Sequence, residues 1–179
     1  HELGITSILV THDQEEALEI SDQIVVMNHG RIEQSGSADT LYKLPENAFV
    51  TEFLGETDSF EGRIERGQWH YRGYAWPLPP GKRWQEQSAL GYIRPHEWQI
   101  DPERPLLADG GSAAIESLHH TGALTRLTLR EQAPNGRTLQ ASFAATEADR
   151  LGLVPGQILS LAPRQVYVFI HSDVIEYAI

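Results

Sequence analysis

The sequence predicts an α/β segment over residues 1–56, followed by an all-β domain over residues 57–179. Two short apolar runs on either side of a helical pattern indicate the first, since that alternation is typical of a sheet covered by helices. Eight short runs of β-forming residues, separated by Gly and Pro, indicate that the second is a barrel or sandwich. The pattern changes after Gly55, where polar residues follow a helical stretch, and we place the domain boundary there.

A strand, a helix and a second strand are expected at the start of the α/β segment. Residues 8–10 are apolar and rich in β-branched side chains, as in a parallel strand buried on both faces. Asp13, with Glu16 three places later, forms a capping-box pattern that predicts the start of a helix. Residues 24–27 form the next buried run. His12 is therefore expected at the carboxyl end of the first strand, the edge where open α/β sheets bind ligands.

Cap signals and apolar spacing predict the rest of this segment. Three residues of the first helix are expected to face inward: Ala17, Leu18 and Ile20. Residues 31–34 are predicted to form a short strand after a turn at Gly30. Ser37 is predicted to cap a short helix that ends at Pro45, and residues 46–54 to form an amphipathic helix. The apolar side of that last helix comprises Phe49, Val50, Phe53 and Leu54.

The strands of the all-β domain are short and closely punctuated. They are predicted over residues 60–65, 69–71, 89–93, 113–118, 124–129, 138–143, 158–161 and 166–170. Arg66-Gly67-Gln68 and Pro134-Asn135-Gly136 predict hairpin turns, because Gly and Asn accept the positive φ that tight hairpins require. A short helix is predicted over residues 146–151, with Thr146 as its N-cap.

Composition excludes several classes of protein. The 179 residues include no cysteine, so neither disulfides nor thiolate metal sites can form. No apolar run approaches the roughly 18 residues of a membrane helix, and no signal peptide is visible. The net charge is −11, of which −9 falls on residues 1–56 and −2 on residues 57–179. This balance argues against nucleic-acid binding, and Glu15, Glu16 and Glu19 form either a solvated helix face or a docking surface.

Two motifs of the α/β segment resemble the switch region of ABC-transporter ATPases. They are Val10-Thr11-His12-Asp13-Gln14-Glu15-Glu16-Ala17 and Val25-Val26-Met27-Asn28-His29-Gly30-Arg31-Ile32-Glu33-Gln34. Within that family, four further segments resemble the ATP-binding subunit of sulfate/thiosulfate importers. They are Glu52-Phe53-Leu54-Gly55-Glu56, Gly67-Gln68-Trp69-His70, Trp76-Pro77-Leu78 and Ile93-Arg94-Pro95-His96-Glu97. The resemblance implies that residues 1–56 end a P-loop ATPase domain and that residues 57–179 form a regulatory domain of oligonucleotide/oligosaccharide-fold-like barrels.

His12 is the candidate catalytic and nucleotide-binding residue. The resemblance implies that it contacts the γ-phosphate of ATP held between two subunits and helps to position the attacking water. An imidazole N–H that donates to a terminal phosphate oxygen would stabilise the charge that develops during phosphoryl transfer. A histidine at a strand end can also be a satisfied core residue, and the flanking motif is what favours catalysis. Thr11 and Asp13 are interpreted as strand-end and cap residues rather than as nucleotide contacts.

The other parts of a nucleotide site are not found in the sequence. Gly81-Lys82-Arg83 contains the only Gly-Lys pair, and it lacks the earlier glycine and the hydroxyl residue of a P-loop. Met27 is the only methionine and the chain begins within the strand–helix pattern, so we interpret it as part of a longer subunit. ATP and Mg²⁺ are expected as cofactors of that subunit. No cofactor or metal is expected for this chain alone, which should not hydrolyse ATP.

Three groups in the all-β domain invite binding hypotheses. Arg94 could bind an oxyanion bidentately, but without a second converging base we favour a structural ion pair. His119 and His120 point to opposite faces of a strand and are therefore poor partners for one metal ion. The aromatic residues are interpreted as core rather than as a stacking platform. They are Trp69, Trp76, Trp84, Trp98, Tyr71 and Tyr74.

Two functions of different class follow from these patterns. The first is the C-terminal portion of an importer ATPase that couples ATP hydrolysis to transport, with a regulatory and dimerisation domain. The second is an oxyanion-sensing module of a related importer of molybdate, iron, polyamines or sugars. The expected partners are a second copy of the subunit, membrane-spanning permease subunits and, in the second case, an oxyanion. No nucleic-acid partner is expected, and the expected location is cytoplasmic, peripheral on the inner face of the cell membrane.

Overall fold

The computed structural model describes residues 6–80, 84–100 and 111–170. The chain divides into two compact units, residues 1–55 and residues 56–179.

A β-hairpin and three short helices form the first unit. Its elements are α1 (Gln14–Ile20), β1 (Ile24–Asn28), β2 (Arg31–Gly36), α2 (Ala38–Lys43) and α3 (Ala48–Phe53). The strands β1 and β2 pair antiparallel, and His29 and Gly30 turn between them with φ of 44° and 76°. Its buried core comprises Ile24, Val26, Leu41, Val50 and Leu54, against which Leu18, Phe49 and Phe53 pack.

Each helix of this unit begins at a polar side chain that accepts a backbone N–H. Asp13 accepts from Glu16, Ser37 from Thr40 and Asn47 from Val50. These bonds satisfy donors that the first helical turn leaves without an internal partner. The predicted helix starts at Asp13 and Ser37 are therefore confirmed.

The predicted strand over residues 8–10 is wrong for this structure. These residues adopt no strand, and Ile8 and Val10 are 90% and 92% exposed. A parallel strand needs neighbouring strands to accept its backbone hydrogen bonds, and within the described residues of this unit β1 pairs only with β2, antiparallel. Ile20 was expected to face inward but is 64% exposed, and no residue of α1 is fully buried.

The second unit is built mainly from strands. In chain order they are β3 (Asp58–Glu65), β4 (Gln68–Tyr71), β5 (Tyr74–Pro77), β6 (Gln87–Ile93), β7 (Trp98–Ile100), β8 (Ser112–Thr121), β9 (Leu124–Glu131), β10 (Thr138–Ala144), β11 (Ile158–Pro163) and β12 (Tyr167–Ile170). One five-stranded sheet has the order β12-β6-β3-β4-β5 and the other β10-β9-β8-β11-β7, with all pairs antiparallel. The expectation of an all-β domain is thus confirmed.

Local signals explain both the successes and the errors in this unit. Arg66 and Gly67 have positive φ between β3 and β4, and Asn135 has positive φ in the connection from β9 to β10, as the hairpin prediction requires. The strands β5 and β7, which are four and three residues long, were not predicted. The helix α4 (Ala145–Leu151) begins after Ala144 without a side-chain cap, so the prediction that Thr146 is the N-cap is wrong.

Candidate functional site

His12 lies exposed on the segment that leads into α1. The hydroxyl oxygen of Thr11 accepts a hydrogen bond from the backbone N–H of Asp13 at 3.0 Å. The carboxylate of Asp13 in turn accepts from the N–H of Glu16 at 3.1 Å. His12 is thus flanked by two residues whose side chains bond the backbone further along the chain. Asp13 acts as the helix cap that the sequence predicted.

The charges on this unit determine what His12 could bind. Glu15, Glu16 and Glu19 are exposed on α1. The first unit has two cationic residues, Arg31 on β2 and Lys43 at the end of α2. Lys43 forms an ion pair with Asp39 at 2.5 Å. The imidazole of His12 can donate one hydrogen bond to an anionic oxygen. The neighbouring carboxylates would repel phosphate, so the remaining contacts of a nucleotide would have to come from other residues.

Arg94 is fully buried in the second unit. It directly precedes a 3₁₀ turn over Pro95–Glu97, and its guanidinium carbon lies 5.6 Å from the centroid of the Tyr167 ring. A cation over an aromatic face is stabilised by the ring quadrupole. An oxyanion would have to enter the interior to reach this side chain, which favours a structural role for Arg94.

The two adjacent histidines lie at the exposed end of β8. Nδ1 of His120 lies 3.1 Å from the hydroxyl of Thr125 on the neighbouring strand β9, and His119 is paired in register with Arg126. Among the described residues, no group of three or more His, Asp or Glu side chains is arranged to hold a metal ion. The structure therefore brings no further ligand to this pair within that part of the chain.

The aromatic residues that were predicted to lie in the core belong to the buried cluster or pack against it. Trp69 and Trp98 are buried, while Trp76 and Trp84 pack against the same cluster. Phe60 contacts Trp98 edge-on at a centroid distance of 5.9 Å. Such edge-to-face pairs stabilise a core beyond the area that they bury.

A buried carboxylate that the sequence analysis missed joins the two sheets. Glu131 ends β9 and is 4% exposed. It accepts a hydrogen bond from the hydroxyl of Tyr71 on β4 at 2.9 Å and one from the backbone N–H of Arg137 at 3.1 Å. Arg72 forms an ion pair with the same carboxylate at 3.7 Å. Burial and the adjacent negative charge together raise the pKa of Tyr71 to about 12.

A second acidic residue adds to this connection. The carboxylate of Asp58 on β3 accepts from the backbone N–H of Gln140 on β10 at 2.9 Å. Arg137 donates to the carbonyl of Ser59, and its guanidinium carbon lies 5.2 Å from the Phe60 ring centroid. Burial raises the pKa of Asp58, which the hydrogen bond from Gln140 partly offsets. No short sequence pattern could have identified these contacts, since their partners are some 60 to 80 positions apart.

No helix within the described ranges is long and apolar enough to cross a membrane.

Comparison with known proteins adds a family relationship. A family model for the CysA C-terminal regulatory domain matches residues 59–100. The chain is 56% identical over its whole length to the sulfate/thiosulfate import ATP-binding protein CysA of Neisseria meningitidis serogroup B, covering 49% of that protein. It is 36% identical to the protein of the same name from Halalkalibacterium halodurans, over 97% of this chain and 48% of the relative. The chain thus spans about half the length of the curated relatives it matches.

One solved structure also resembles part of the chain. It is the cytoplasmic molybdate-binding protein ModG with molybdate bound, at 13% identity and a TM-score of 0.37. The likeness covers 46% of this chain and 62% of that one.

Proposed function

This chain is homologous over its whole length to the C-terminal part of sulfate/thiosulfate import ATP-binding proteins, and on that premise we propose that it is part of an ABC-importer subunit that couples ATP hydrolysis to sulfate or thiosulfate uptake. The observation that carries the proposal is the 56% identity over all of the chain. In this proposal, residues 1–56 end the nucleotide-binding domain and residues 57–179 form the regulatory domain.

His12 is the residue that we propose to act on ATP. Its exposed imidazole would donate to a terminal phosphate oxygen and stabilise the charge that develops during transfer. ATP with Mg²⁺ supplies the phosphoryl group. A phosphate-cradling loop and the acidic ligands of Mg²⁺ would come from other residues of the longer subunit, because the carboxylates next to His12 do not suit a phosphate. This chain alone is accordingly expected to be inactive.

The proposed partners are a second copy of the subunit and the membrane-spanning permease subunits. Two subunits would close around ATP, and the regulatory domain would hold the pair together while it reopens. The subunit would then work at the inner face of the cell membrane, bound through the permease.

Replacing His12 with alanine in the full-length subunit tests the proposal. ATP turnover should fall by about 10²-fold or more, because a donor to the transferring phosphate is lost, while nucleotide affinity stays largely unchanged. Turnover is measured by phosphate release and affinity by equilibrium binding.

The matched control is His29→Asn, at another exposed histidine of the same unit. Asparagine tolerates the positive φ of residue 29, so this variant should keep wild-type turnover. Wild-type turnover in His12→Ala would contradict the proposed role of His12.

A further inference from the structure

Two consecutive side-chain-to-backbone hydrogen bonds fix the chain around His12. The hydroxyl of Thr11 accepts the N–H of Asp13, and the carboxylate of Asp13 accepts the N–H of Glu16. The carbonyl of Asp13 also accepts the N–H of Ala17 at 3.1 Å, which opens the helix. The first of these bonds closes directly across residue 12, so it restricts the backbone dihedral angles of His12 itself.

The caps at positions 11 and 13 make separable contributions to this segment. Asp13 would cap α1 whatever residue stood at position 11. The bond from Thr11 is different, because it spans position 12 and makes no contribution to the helix ladder.

We propose that Thr11 is a positioning residue for His12, an inference that rests on the proposed function of His12. The hydroxyl oxygen of Thr11 holds the turn that presents the imidazole, and it makes no contact with nucleotide itself. A donor aimed at a developing charge is effective only while its direction is fixed, so loosening the turn lowers the rate of the chemical step more than it lowers binding.

The test uses the full-length subunit with two substitutions at position 11. Thr11→Val keeps the β-branched shape but removes the acceptor oxygen, and Thr11→Ser keeps the oxygen. We expect kcat for ATP to fall by about fivefold to tenfold in Thr11→Val, with KM and nucleotide affinity within about twofold of the wild type. Thr11→Ser should restore kcat to within about twofold. Unchanged nucleotide affinity in both variants confirms that the domain is folded.

Combining Thr11→Val with His12→Ala separates this inference from the proposed function. If Thr11 acts through His12, Thr11→Val causes no further loss in the His12→Ala background. Wild-type kcat in Thr11→Val, an equal loss in Thr11→Ser, or an undiminished loss in the double variant would each overturn the positioning role. If His12→Ala itself keeps wild-type turnover, the proposed function of His12 is what fails.

Discussion

Replacing Gly91 with alanine should destabilise the second unit by about 2–4 kcal/mol. A Cβ at this position on β6 would lie 2.4 Å from Cζ2 of Trp69 and 2.6 Å from its Cη2. The indole is 1% exposed and its Nε1 donates to the carbonyl of Ala89 at 3.2 Å, so it cannot move without losing both packing and this bond. Overpacking costs about 1–3 kcal/mol and the hydrogen bond adds about 1 kcal/mol.

A second substitution at Trp69 tests whether the steric conflict is the cause. Trp69→Leu alone opens a cavity, with an expected cost of about 2–4 kcal/mol. In the double variant the new methyl group of Gly91→Ala occupies part of that cavity. The double variant should therefore lose less stability than the sum of the two single variants, by at least about 1 kcal/mol.

Urea unfolding followed by tryptophan fluorescence is the assay. All four tryptophans lie in residues 57–179, so the emission reports on the second unit and not on the first. Ser88→Ala is the control, because Ser88 is exposed on the same strand, and it should change stability by no more than about 0.5 kcal/mol. A wild-type midpoint in Gly91→Ala, or strictly additive effects in the double variant, would refute the reasoning.

The two carboxylate contacts between the sheets give the remaining predictions. Tyr71→Phe removes the hydroxyl that donates to the buried Glu131 and should cost about 1–3 kcal/mol at pH 8. The folded-state pKa of Tyr71 is raised to about 12, so the stability that this shift contributes is fully present below pH 10 and is lost as the pH rises from 10 to 12. The variant should lack this loss. Parallel curves of urea midpoint against pH would contradict it. Asp58→Asn keeps an oxygen for the N–H of Gln140 but removes a carboxyl whose pKa is raised by burial. A raised pKa costs the wild type stability as the pH rises above the ordinary value of 3.8, so the variant should gain stability relative to the wild type over that rise in the same assay. A difference in stability that stays constant as the pH rises would exclude the effect.

Interactions between near neighbours in sequence were predictable. The caps at Asp13 and Ser37 depend on a side chain reaching a backbone N–H three residues away, and spacing alone reveals them. The turns at Gly67 and Asn135 depend on the φ that each residue tolerates. The strand predicted over residues 8–10 failed for the converse reason: apolar β-branched residues favour a strand, but a strand forms only beside another.

In the candidate site too, local motifs were predictable and burial by distant segments was not. The motif around His12 identified the residue, and its role stays a prediction that the His12→Ala experiment tests. The buried position of Arg94 was not predictable, because arginine side chains are mostly exposed. Nothing in the sequence indicated that Glu131 would be buried, since a carboxylate at a strand end is expected to face solvent.

By itself, the sequence determined the caps at Asp13 and Ser37, the hairpin turns, the eight strands predicted for the all-β domain and the switch motif, all of which depend on residues close together in the chain. Only the tertiary structure decided that Glu131 lies inside against Tyr71, 60 positions away, and that Gly91 must lack a side chain beneath Trp69. Those features depend on which strands become neighbours and how closely they approach. Packing of distant segments sets both, and no local pattern encodes it.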